Sequence, residues 1–328
     1  MTPLQFEAQH AAVWQELEAA LAATTKRRRG AKAADRARIA ALYRAACEHL
    51  AIAESRSYPV WLIERLEALT SRGHQLIYAR ADFGVDALRR LFLVDFPAAV
   101  RAHRLHVLIA LVVFAGPLVA VGVLSYVDPG LVLSLHDANV VDQYEQMYGS
   151  DDGPIGRRTA DSDWAMFGMY ILNNIGIAFQ CFAGGLFFGI GSLFFLALNG
   201  ALAGSIAGYV TWRGFGENFY SFVITHGAFE LTGIVLAGAA GLVLGHALLV
   251  PGRHSRLAAL ELAARRAIVI VYGMTAMFVV AATLEAFWSS ARWVPAQVKI
   301  GVGAACWVAV IAYFVFQGRP RRGDSGRS

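Results

Sequence analysis

Five apolar runs of roughly 20 residues each dominate this chain, and each is long enough to cross a hydrocarbon core as a helix. They cover 105–127, 169–198, 222–250, 267–288 and 298–316. No water inside a bilayer satisfies backbone N–H and C=O groups, so a chain carrying such runs folds there as helices. A shorter apolar stretch, 200–212, follows Asn199-Gly200. With that dipeptide read as a tight turn, the stretch is either a thin sixth span or a half-helix re-entering the membrane. The fold class expected is therefore all-α, a polytopic helical membrane protein.

Arginine placement favours six crossings, because loops kept in the cytoplasm are enriched in Lys and Arg. Residues 1–104 hold 16 basic and 11 acidic side chains, and the tail 319–328 has four arginines against one aspartate. The connection 251–266 carries Arg253, Arg256, Arg265 and Arg266 against Glu261. The loop 128–168 instead has eight acids and two arginines, which suits the outer side. Both termini are thus expected in the cytoplasm, and two cytoplasmic ends require an even number of spans. An excess of Arg over Lys, 26 to 3, together with abundant Ala, points to a GC-rich bacterium and its inner membrane.

Only 16% of the 328 residues are charged, against about 25% in soluble domains, which excludes a purely soluble, nucleic-acid-binding or disordered protein. About half of the charges, 27 of 53, lie in residues 1–104, the composition of a cytoplasmic helical head. In it Phe6, Val13, Leu17 and Leu21, then Ile39, Leu42, Ala46, Leu50 and Ala53, recur at helical spacing. Pro59 permits a third helix lined by Trp61, Leu62, Arg65, Leu66 and Leu69. The basic cluster Lys26 to Arg29 is a helix end and turn, or a contact for anionic headgroups. Leu88, Leu91, Phe92, Val94 and Phe96 mix with Arg89, Arg90, Arg101 and Arg104, as in a helix lying at the interface before the first span. The first 20 residues contain no apolar core of secretory length.

Catalytic motifs are scarce: no Walker loop, no His-Glu-x-x-His and no Gly-x-Ser-x-Gly occurs. Cys47, Cys181 and Cys306 are odd in number and far apart, so they imply neither a disulfide framework nor a metal knuckle. No catalytic residue, cofactor or metal set is expected. The glycines have a packing explanation, since Gly185 and Gly189, then Gly200, Gly204 and Gly208, then Gly233, Gly241 and Gly245 fall at four-residue spacing or its multiples. Such strips let neighbouring helices of one chain, or of two copies in a homo-oligomer, approach closely.

The polar residues inside the apolar runs are more specific. A charge at the bilayer centre costs on the order of 3 kcal/mol or more, so it is usually paired or functional. His226 and Glu230, four residues apart, are offset by about 40° on a helix and share a face. They tie helices together, relay a proton or ligate a metal. Two ligands are too few for zinc, however, and no second His-rich motif supplies the rest. Asn173, Asn174 and Asn199 lie in or beside apolar runs, where amides bond across helices. Glu285 is read as close enough to a span end to reach water.

These residues resemble the stage II sporulation protein M family of integral membrane proteins. The matching elements are Leu42-Tyr43-Arg44 with Pro59, the stretch Phe92 to Arg101, Asn173-Asn174, the glycines from Gly184 to Gly191, Asn199-Gly200, and His226-Gly227-Ala228-Phe229-Glu230-Leu231. Where many relatives have Pro-His-Gly, this chain has Thr225-His226-Gly227. The resemblance implies a non-enzymatic scaffold that recruits envelope proteins of the peptidoglycan-remodelling type, with membrane lipids and other envelope membrane proteins as partners. The alternative is a transporter or channel, in which Asn174, Asn199, His226 and Glu230 line a polar route. An intramembrane hydrolase built on His226 and Glu230 lacks a nucleophile or a full metal set.

Overall fold

The computed structural model describes residues 1–26, 33–77, 84–149, 160–291 and 293–319. Arg27 to Arg29 of the basic cluster, and the tail from 320, lie outside the described residues. Among the described residues the chain is helical, with no strand, and it divides into two compact units, Met1–Ala87 and Leu88–Ser328.

The first unit packs α1 (Pro3–Lys26), α2 (Ala33–Ser55) and α3 (Val60–Ile77). Its core is Phe6, Trp14, Leu17 and Leu21 from α1, Ile39, Ala46 and Ala53 from α2, and Leu62, Leu66 and Leu69 from α3. The spacing expectation holds except at two aromatics. Trp14 is fully buried beside the half-buried Val13, and Trp61 is 47% exposed on the outer face of α3. Burying an indole requires a partner for its N–H, and Trp14 Nε1 donates to His49 Nδ1 at 3.0 Å. That bond needs a neutral imidazole.

The second unit begins inside α4 (Val85–Arg90), which runs through a π-helical turn (Leu91–Asp95) into α5 (Phe96–Ala102). Residues 88–104 were expected with the head; they belong instead to the membrane bundle. The Phe96 ring fills a notch at Gly273 that a Cβ would close. Tyr313 donates to the Phe92 carbonyl, and Arg101 Nη1 donates to the carbonyls of Phe314 and Gln317 at 2.9 and 2.6 Å.

Six helical stretches are long and apolar enough to cross a membrane: Arg104–Val127, Asp163–Leu186, Ile190–Trp212, Gly216–Leu249, Arg256–Ser289 and Ala296–Phe316. The corresponding helices are α6 (Arg104–Val127), α9 (Ala160–Ala183), α10 (Ile190–Trp212), α11 (Gly216–Leu249), α12 (Arg256–Thr283) and α13 (Ala296–Phe316). Between the first two spans lie the short α7 (Val132–Leu135) and α8 (Ala138–Tyr148). The turn expected at Asn199-Gly200 lies elsewhere. The chain reverses at 184–189, where Phe188 (φ 54°) and Gly189 (φ 84°) take left-handed conformations, and α10 runs unbroken through Asn199. The Asn199 amide is accommodated by donating to the Phe195 carbonyl one turn back, at 2.8 Å. The run 169–198 thus belongs to two spans, and 200–212 is the second half of a full-length helix. Residues 256–266, expected in a loop, form the first turns of α12, which Ser255 caps by accepting from Ala258 N at 3.3 Å.

Glycines set the closest approaches. Gly200, Gly204 and Gly208 of α10 meet the carbonyls of Phe114, Leu118 and Gly122 of α6 in steps of four, with no room for a Cβ at any of the three. Gly185 meets Gly241, Gly189 meets Gly245, and Gly233 faces the ring of Phe278. Every residue of α11 from Gly233 to Gly241 is buried, which makes α11 the centre of the bundle.

Two outcomes are expected. Gly204→Leu forces α10 off α6, and overpacking of this kind costs about 1–3 kcal/mol or more; thermal melting in detergent should fall well below wild type, with Gly301→Ala, where a Cβ has open space, as the control. In the head, burial first and His10 second hold the His49 imidazole below its usual value, which is about 6.5. The unfolded chain then binds the extra proton first, so head stability is full above about 6.5 and falls as pH drops toward the folded value. His10→Gln should flatten that acid limb in a pH series of proteolysis rates.

Candidate functional site

All five polar candidates reach one cavity of about 580 Å³ within the bundle. Asn173 and Asn174 come from α9, Asn199 from α10, and His226 and Glu230 from α11. The cavity also takes Glu285, from the π-helical turn after α12; it was expected to reach water at a span end and instead faces this cavity. His136, Tyr144 and Tyr148, from the connection between the first two spans, join it.

His226 is buried, with its ring edge-on to Phe222 at 5.4 Å. Its Nδ1 lies 3.1 Å from Ser289 Oγ. Ser289 closes a π-helical turn, Leu284–Ser289, that also carries Glu285. π-Turns inside helices recur at functional sites; here the widened turn directs Glu285 and Ser289 toward α11. Lys299 Nζ donates to the Ser289 carbonyl at 2.7 Å, and Thr225 Oγ1 donates to the Lys299 carbonyl at 3.3 Å. The start of α13 is thereby tied to both helices. α11 runs through Thr225 without a break.

Glu230 and Glu285 approach one another and His226 closely: one donor atom from each of the three lies within 4.8 Å of the others. No Lys or Arg among the described residues lines the cavity. Lys299 is buried nearby but is spent on the Ser289 carbonyl. Asn174 is buried beside Glu230; its Oδ1 accepts from Asn173 Nδ2 at 3.2 Å, while its own Nδ2 has no hydrogen bond of full geometry.

The roof is built from α7 and α8. Val132, Val141 and Tyr148 bury themselves against Ile206, Val210 and Phe222. Glu145 accepts from Tyr209 and from Arg213 Nη2 at 2.9 Å, and Asn218 Nδ2 donates to the Tyr148 carbonyl at 2.8 Å. His136 Nε2 lies 2.8 Å from Ser205 Oγ. Burial first, then the charges of Glu285 and Glu230, push the Tyr144 phenol up, and burial does the same more strongly to Tyr148. Both phenols therefore stay neutral at physiological pH.

Glu285 carried a signal in the sequence. It is the only acid in the apolar run 267–288, so the cost argument applied to Glu230 applies to it as well. The roof residues had no such signal, because an amphipathic helix in a polar loop looks alike whether or not it covers a cavity.

A family model described as Stage II sporulation protein M matches residues 106–290, more than half of the chain. A second, described as Domain of unknown function (DUF8413), matches residues 4–79, within the first compact unit. No curated protein and no solved structure matches the chain. On the first match, and on helices that fit an all-α polytopic architecture, the chain belongs to the stage II sporulation protein M family of integral membrane proteins.

Proposed function

We propose that the membrane unit is a non-enzymatic, transporter-type body that admits a small polar or cationic solute into the cavity around His226 and Glu230. The observation that carries this reading is the gathering of six polar or ionisable side chains, from four separate spans, around one space. Polar groups inside a membrane are costly, and a site used only for packing would pair them tightly rather than line a cavity of about 580 Å³ with them. The lining extends from Gln143 and Met147 of α8 down to Ile234 of α11. Below it Gly185 packs on Gly241, Gly189 on Gly245 and Leu196 on Gly238. A polar space near the middle of a helical bundle is where carriers place their substrate.

The arrangement of charge supports an orientation. Arg101, Arg104, Arg253, Arg256 and Arg319 lie at the end of the bundle where α6 starts and α13 stops; Asp128, Asp137, Asp142 and Glu145 lie at the other. By the positive-inside rule the arginine end faces the cytoplasm of a bacterial inner membrane, with both termini there and the cavity roof outside. A second reading, a scaffold that recruits envelope proteins, is favoured by the first compact unit, which has its own core and its own family match.

Reporter fusions at residues 145, 258 and 328 are expected to read outside, inside and inside. Purified protein in liposomes is expected to carry a proton or cation flux that Glu230→Gln abolishes. An intact flux in that variant removes Glu230 from the route. No flux from folded wild-type protein, together with envelope proteins that co-purify through the head, establishes the scaffold instead.

A further inference from the structure

We propose that His226, Glu230 and Glu285 form a binding site for a single divalent transition-metal ion, of the zinc or manganese class, at the floor of the cavity. The proposal rests on the transport reading and deepens it by naming the ligand class. One imidazole and two carboxylates make a mixed nitrogen and oxygen donor set. Such a set suits zinc, manganese or ferrous iron, whereas calcium asks for six to eight oxygens. The donor atoms lie within 4.8 Å of one another. Around an ion at about 2.1 Å from each ligand they would stand roughly 3–4 Å apart, so small rotations of the two glutamate side chains close the set.

Three further observations point to a cation. Two carboxylates share a cavity whose wall brings no Lys or Arg among the described residues, so no protein cation in that wall competes with an ion for them. The imidazole is already oriented: Nδ1 is paired with Ser289 Oγ at 3.1 Å, so Nε2 is the nitrogen left to coordinate. Metal-bound histidines are usually held in this manner by a partner on the other ring nitrogen. Third, Asn174, 2% exposed, sets its amide against Glu230 in the same wall, and carboxylates that bind a metal are commonly held by such a neighbouring donor. The rest of the cavity leaves space for water on the ion.

The test uses full-length protein in lipid nanodiscs, stripped with chelator and dialysed against Zn²⁺ alone and Mn²⁺ alone. Wild type is expected to retain one ion per chain and to melt higher with the ion than without it. Glu285→Gln and His226→Ala should each weaken binding at least tenfold, and Ser289→Ala, which leaves the three ligands in place, by about ten- to a hundredfold. Glu217→Gln, in the first turn of α11 and outside the cavity lining, should bind as wild type. Should Glu285→Gln fail to fold, Glu285→Asp, which shortens the ligand, must show the loss. Folded wild type that takes up neither ion overturns the proposal and leaves the carboxylates sharing a proton; so does undiminished binding in Glu285→Gln. Stoichiometric binding without flux in liposomes would remove the transport reading alone, and flux without binding would remove the metal site alone.

Discussion

A carboxylate in hydrocarbon must be paired, protonated or wetted, and the acidic half of this bundle is arranged around two of them. Glu230 sits on α11 and Glu285 on the π-turn that continues α12, two adjacent helices that would gain from close apolar contact along their whole length. Where the glutamates occur the contact opens instead, and amides, imidazole and phenols from three other elements fill the margin. His226 is held through Ser289, Ser289 through Lys299, and Lys299 back through Thr225 to the residue next to His226. This ring of bonds joins α11, the π-turn after α12 and the start of α13. It fixes the imidazole while leaving the carboxylates unpaired by protein cations.

The arginine half obeys the opposite rule. There α11 is sealed by glycine contacts, and backbones approach so closely that dispersion and weak backbone contacts replace side-chain packing. A single chain thus holds two regimes along one helix. From Gly233 to Gly241 α11 is wholly buried, with only Ile234 of that stretch bordering the cavity, and a turn earlier it faces the cavity. The transition between them comes within one helical turn, because Glu230 and Gly233 are three residues apart.

Much of this was legible in the sequence. The apolar runs gave the helices, the glycine spacing gave a packing strip on α10 without naming α6 as its partner, and the spacing of His226 and Glu230 placed both on one face. Span boundaries were less legible. Asn199-Gly200 looks like a turn because both residues favour turns, yet the same two residues serve a helix crossing, with Gly200 against Phe114 and the Asn199 amide on its own helix. The real reversal at Phe188-Gly189 requires a left-handed phenylalanine, which no propensity argument selects. Residues 88–104 read as an interfacial helix because they alternate apolar and basic, and that pattern also fits a helix whose apolar side enters a notch at Gly273.

The roof explains how two negative charges can be covered without adding more. α7 and α8 are seated by apolar burial of Val132, Val141 and Tyr148. Half-exposed bonds such as Arg213 with Glu145 add about 0–1 kcal/mol apiece and act mainly to fix orientation. Two acids of this loop point their chemistry elsewhere: Glu145 is engaged by Tyr209 and Arg213, and Asp128 accepts from the Gly130 amide at 3.1 Å. What α8 turns toward the cavity is Tyr144 and Tyr148, phenols that burial and the glutamates below keep protonated. A neutral O–H donates to a carboxylate, or to a water on an ion, without repelling either. The acidic loop therefore keeps its charge at the rim, where it attracts cations, and presents neutral donors above the site where a cation would be held.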